Sequence, residues 1–150
     1  MVLDQLDELY REVILDHFKH STHAGDLPGA DVTAEGNNPL CGDELAVSLK
    51  LADGRIRQAR FRAKGCAISR AASSMLMQQI EGKSFTEVAR LIDALKCLMQ
   101  GAEPDPSVDL GDLEALAGVR KFPVRVKCAA LSWNVVEQAL NSRTQKSEDR

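Results

Sequence analysis

The chain has 150 residues, 44% of them hydrophobic and 27% charged, enough for one domain with a substantial core and too few for two. Lys and Arg number 19 against 22 Asp and Glu, a net charge of −3, so neither a general attraction to nucleic acid nor one to an anionic membrane is expected. The opening MVLDQLDELYREV lacks the basic start and apolar centre of a signal peptide, and no apolar run is long enough to span a bilayer; a cytoplasmic protein with reduced cysteines is expected.

In chain order, residues 3–18 place Leu3, Leu6, Tyr10, Val13, Ile14 and His17 on one stripe, which predicts an amphipathic opening helix. Residues 21–40 are rich in Gly, Pro, Asn and Asp and read as a long loop, with one short strand at DVTAE, 31–35. Leu45, Val47, Leu49 and Leu51 alternate with smaller or polar residues. Asp53-Gly54 then supplies a two-residue turn and IRQARFRAK runs back, which predicts an antiparallel hairpin joined by 31–35 as a third strand.

After Gly65-Cys66 the period becomes helical: Ile68, Ala72, Met75, Leu76 and Gln79 share a face that Gly82 ends. Ser84 and Glu87 form a capping signature for a third helix carrying Val88, Ile92, Leu95 and Met99, which GAEPDPS terminates. A short helix at LGDLEALAG leads to KFPVRVK, where Pro123 restricts the backbone, and CAALSWNVVEQAL reads as a closing helix through Leu131, Val135 and Leu140. The expected fold is α+β: a small antiparallel sheet of about three strands packed with about five helices, as one domain over 1–142 with a frayed tail at 143–150.

In a reducing compartment, the cysteines at 41, 66, 97 and 128 argue for metal binding or thiol chemistry before disulfides. Cys41 falls at a loop-to-strand junction in NNPLCGDEL, two residues before Asp43. Cys66 and Cys128 each fall at the first residue of an expected helix, where unpaired N–H groups favour a thiolate. Arg125 and Lys127 push Cys128 the same way. Cys41, Asp43, Cys66 and Cys128 make a tetrahedral set for a zinc-type ion, a formal charge that Lys64, Arg125 and Lys127 could offset. Their wide spacing forms no C-x-x-C knuckle, so spacing alone leaves open that these are small buried hydrophobes.

The strings NNPLCGDEL, ARFRAKGCAISRAASSM and KFPVRVKCAALSWN, in that order and with a DG hairpin after the first, resemble the U-type iron-sulfur assembly family (IscU/NifU-N-like), specifically its SufU branch. LYREVILDHFKH is similar to that family's N-terminal helix, so the resemblance runs from about residue 9 to about 140. It implies that Cys41, Asp43, Cys66 and Cys128 are zinc ligands, from the C-G-D, G-C and K-C motifs. Two departures separate the chain from the IscU scaffold class: Lys127 stands where that class has a histidine before the third cysteine, and a segment carrying LMQGAEPDPSVDLGDLEALAG is added. That class also has a Pro-Pro segment for chaperone recognition, which here reads KFPVRVK and argues against recruitment of an Hsp70 system.

The resemblance implies a zinc-dependent sulfurtransferase that accepts persulfide sulfur from a pyridoxal-phosphate cysteine desulfurase of SufS type and serves downstream SUF-type assembly proteins. Cys41, in a loop of Asn, Pro and Gly, is the expected acceptor, with a histidine of the desulfurase replacing it at the metal; Asp43, Cys66 and Cys128 keep the ion. Two rival functions remain. One is a scaffold for a [2Fe-2S] cluster, since iron suits the same ligands, and the other is a structural-zinc modulator of the desulfurase. His17, His20 and His23 read as structural or surface residues, Cys97 as incidental, and Met75, Met77 and Met99 as core filling.

Overall fold

The computed structural model describes the backbone of residues 2–148 and the side chains of residues 8–143. Helix α1 spans Val2–Lys19, and Tyr10, Val13, Ile14 and His17 turn inward as the stripe requires; Leu3 and Leu6 lie outside the residues whose side chains are described. Three strands follow, β1 (Val32–Asn38), β2 (Asp43–Ala52) and β3 (Arg55–Lys64), paired as an antiparallel meander in the order β1-β2-β3. Helices α2 (Ala67–Ile80) and α3 (Phe85–Met99), a 3-10 helix (Gly111–Val119) and α4 (Pro123–Glu148) complete the α+β fold, with three strands and five helices as expected.

The turn between β2 and β3 is Asp53-Gly54, both at positive φ (54° and 74°), the mirror-image turn that fits the twist of a hairpin. Alternation along β2 buries Leu45, Val47 and Leu49 on one face of the sheet. Against the sheet lie α4, which crosses β1 and β2, and α2, which packs on β3; α1 covers α2 and the 3-10 helix. Ser84 and Glu87 close the capping box at the start of α3.

Two boundaries differ from the sequence reading. Strand β1 extends beyond 31–35 to Asn38, because Gly36, Asn37 and Asn38 continue the ladder opposite Leu45, Glu44 and Asp43. Gly36 is a strand residue there, placed where a Cβ would come within 2.7 Å of Val135 Cγ2 on α4. The second difference is α4, which starts at Pro123 rather than at Cys128. Proline is favoured at the first helical position because its missing N–H would have no partner there anyway. The helix continues to Glu148, and the fraying expected over 143–150 bears on residues whose side chains, from 144, lie outside those described.

Candidate metal centre

The register of β1 on β2 builds the site. Asn38 faces Asp43 across the ladder, so residues 39–42 form a four-residue turn that carries Cys41 at the rim of the sheet. Asp43, the first residue of β2, is fully buried. From the end of β3 the chain passes through Gly65 into Cys66, the N-cap of α2, and α4 brings in Cys128 from its second turn.

Cys41, Asp43 and Cys128 each offer a ligand atom within 4.8 Å of the other two, and the Sγ atoms of Cys41 and Cys128 are 2.9 Å apart. Cys66 adjoins this triad, its Sγ 3.9 Å from Asp43 Oδ2. The Asp43 carboxylate has two distinct oxygens. Oδ1 accepts the Cys66 backbone N–H at 2.8 Å, which leaves Oδ2 facing the sulfurs. Asn38 Nδ2 lies 3.5 Å from that oxygen and 3.6 Å from Cys128 Sγ.

The longer α4 changes one electrostatic expectation. Cys66 does stand at a helix start, as the N-cap of α2. Cys128 lies more than a turn inside α4, so helix-end stabilisation does not act on it. Burial instead pushes its thiol pKa up, helped by contacts with Cys41, Asp43 and Cys66. Arg125 is exposed at the start of α4, and its guanidinium is held above its usual range by a hydrogen bond to Cys128 and by the charges of Cys66 and Cys41. Lys64 and Lys127 are exposed.

A fully buried carboxylate costs several kcal/mol unless hydrogen bonds or a cation compensate it. Asp43 has one close backbone donor and one distant amide, and beside it burial pushes the Cys128 thiol pKa up. A divalent ion on these groups would relieve both conditions, and a sulfur-rich set with one oxygen suits zinc.

Outside this cluster, His17 is buried and bonded through Nδ1 to Ser74 Oγ (2.9 Å) and through Nε2 to Asp112 Oδ2 (2.8 Å), in keeping with a structural role. Cys97 is half-buried on α3 and is not part of the grouping. Asn38 was not among the residues singled out from sequence. Its position before Pro39 reads as turn chemistry, and only the strand register reveals that its side chain faces the ligands.

Fold and site together define a class: a three-stranded meander braced by helices, with thiols and a buried carboxylate converging where the sheet meets two helices. The chain belongs to the family of the NifU-like N terminal domain, whose pattern matches residues 9–129. It is 44% identical to the zinc-dependent sulfurtransferase SufU of Bacillus subtilis (strain 168), over 90% of this chain and 91% of that one. It is also 40% identical to the iron-sulfur cluster assembly scaffold protein IscU of Streptococcus pyogenes serotype M1, over 93% of this chain and 87% of that one. A crystal structure from Fervidobacterium islandicum AW-1, named for SUF-system iron-sulfur cluster assembly, superposes with a TM-score of 0.82 at 34% identity, covering 86% of this chain and 94% of the other. Among the described residues no helix is long and apolar enough to cross a membrane.

Proposed function

We propose that this chain is a zinc-dependent sulfur acceptor in iron-sulfur cluster assembly, taking persulfide sulfur onto Cys41 from a pyridoxal-phosphate cysteine desulfurase of SufS type and passing it to SUF-type assembly proteins in the cytoplasm. The observation that carries this reading is where the ligands are anchored. Asp43 and Cys128 are fully buried on β2 and α4; Cys41 and Cys66 are both half-buried, but Cys66 is the N-cap of α2 whereas Cys41 lies in a four-residue turn between strands. The likeness to SufU of Bacillus subtilis supports it.

Zinc, when bound, compensates the charge of the cluster and keeps its thiolates deprotonated. The residues divide the remaining work. Asp43, Cys66 and Cys128, anchored by a strand and two helices, would hold the ion, and Arg125 would add a positive charge beside them. Cys41, freed from the site, attacks the terminal sulfur of the desulfurase persulfide. A sulfur-sulfur bond forms on Cys41 as the original one breaks, and the desulfurase cysteine leaves as a thiolate, with no net oxidation.

Access to Cys41 is through a shallow groove lined by Leu40, Phe122, Pro123, Val124 and Arg125. Leu40, Phe122 and Val124 are 65%, 58% and 53% exposed, an apolar rim at the reactive end that suits a protein partner. The test is metal analysis of the purified protein together with desulfurase turnover in its presence and absence. One zinc per chain with strong stimulation is expected. A stable [2Fe-2S] cluster passed intact to an acceptor would favour the scaffold reading that the likeness to IscU supports, and binding without stimulation would favour a structural-zinc modulator.

A further inference from the structure

Among the described residues, a side-chain amide N–H faces the sulfur of Cys128, which also contacts the Val124 carbonyl, while the hydrogen-bond contact of Cys41 Sγ is with Cys128 Sγ. That N–H belongs to Asn38, the buried last residue of β1. Asn38 straps the turn at its other polar atoms. Its Oδ1 accepts the N–H of Leu40 at 3.3 Å, and its backbone carbonyl accepts the N–H of Cys41 at 3.3 Å.

These bonds fix which way the amide faces. Were it turned over, its oxygen would meet the Asp43 carboxylate and the Cys128 sulfur, and its NH2 would meet the N–H of Leu40, three unfavourable contacts in place of three favourable ones. The donor edge therefore looks onto two ligand atoms, at 3.5 Å from Asp43 Oδ2 and 3.6 Å from Cys128 Sγ, the latter ordinary for an N–H···S contact.

We propose that Asn38 is a positioning residue that sorts the ligands, holding Cys128 and Asp43 as the retained pair and leaving Cys41 as the one that departs. An N–H directed at a thiolate draws charge from the sulfur, so Cys128 becomes the poorer nucleophile. The same amide tethers the carboxylate that shares its donor. Among the described residues Cys41 Sγ receives no amide N–H, yet its turn is tied to Asn38 through two backbone N–H groups, so one residue both restrains the fixed ligands and sets the pivot of the mobile one. This inference rests on the reading of Cys41 as the sulfur acceptor.

Asn38→Asp separates the two roles, because it keeps an oxygen for the N–H of Leu40 and removes the donor. Zinc-loaded parent and variant are treated with limiting iodoacetamide and the alkylated cysteines mapped by mass spectrometry, with zinc affinity read by competition with a chromogenic chelator. In the parent, Cys41 is alkylated first among the candidate ligand cysteines and Cys128 is protected, with Cys97, outside the cluster, mapped separately. In Asn38→Asp, Cys128 reacts at a rate approaching that of Cys41, and zinc affinity falls about 10–100-fold, the usual effect of removing a partner behind a metal ligand. Unchanged order and affinity in the variant would overturn the proposal and reduce Asn38 to a turn brace. A parent in which Cys41 is not the first of Cys41, Cys66 and Cys128 to react would overturn the acceptor reading as well, which distinguishes the two failures. If Asn38→Asp does not give the parent's circular dichroism spectrum, Asn38→Ala, which removes the donor without adding charge, carries the same comparison.

Discussion

Gly65 shows how closely the backbone is drawn around the buried carboxylate. With φ at +123° it adopts a conformation that L side chains avoid, and a Cβ there would lie 2.7 Å from Asp43 Cα and would also collide with Oδ1. Gly65→Ala must therefore displace the residue that accepts the Cys66 N–H. The substitution is expected to cost about 1–3 kcal/mol of stability by chemical denaturation, and to weaken zinc binding by at least about tenfold in a chelator competition. Full affinity in this variant would mean that Asp43 is not a ligand. The four candidate ligands were legible as a possible tetrahedral set, since three thiols and a carboxylate at a loop and two expected helix starts invite a metal. What favoured that reading over small buried hydrophobes was the resemblance to known motifs, because cysteines 25 and 62 residues apart carry no local geometric signal. Asn38 was missed for a related reason: Cys128, the sulfur its amide faces, is 90 residues away in sequence.

At the scale of elements, local chemistry was readable where it is self-contained. The Asp53-Gly54 turn and the Ser84-Glu87 capping box need only adjacent residues, and both stand as expected. Gly36 was read as loop and Pro123 as a restriction ahead of the closing helix, because their context is tertiary or positional: the glycine admits α4 against β1, and the proline opens α4. Gly36→Ala drives a methyl against Val135 and Leu131 and should cost about 1–3 kcal/mol, read as a lower denaturation midpoint with an unchanged slope. Glu81, at the C-cap of α2, ties that helix to β3 and to the segment after α1. It accepts the Ala59 N–H (2.9 Å), Arg60 (2.9 Å) and His23 (3.3 Å). Burial raises its carboxyl pKa, but these bonds together outweigh burial and hold it below the usual glutamate value of 4.5. A carboxylate lowered in the folded state adds stability that is present above the unfolded pKa and lost as pH falls through the folded one. Glu81→Gln should thus destabilise by about 1 kcal/mol at neutral pH, with the gap to the parent closing in urea titrations carried into acid below that range. A gap that stays constant would show that the charge is not what Glu81 contributes.

Over the whole molecule, the candidate metal centre sits where β1, β2, α2 and α4 converge, so an ion held there would brace elements that are distant in sequence. Zinc at about a hundred times its dissociation constant should add about 2.7 kcal/mol, raising Tm by roughly 5–10 °C in a chain of this size. Chelation should reverse the gain, and equal melting with and without zinc would mean that the ion does not bridge these elements. The added segment after α3 is seated by the His17–Asp112 pair and by burial of Leu113 and Leu116, which makes it part of the core packing. The account as a whole depends on Cys41 leaving a shared site to take sulfur. Its most direct test is peptide mass spectrometry of the zinc-loaded protein after incubation with a SufS-type desulfurase and free cysteine. The expected result is one added sulfur on the peptide containing Cys41, absent in Cys41→Ala even though that variant still binds some zinc. Sulfur found instead on Cys66, Cys97 or Cys128, or undiminished uptake by Cys41→Ala, would contradict it.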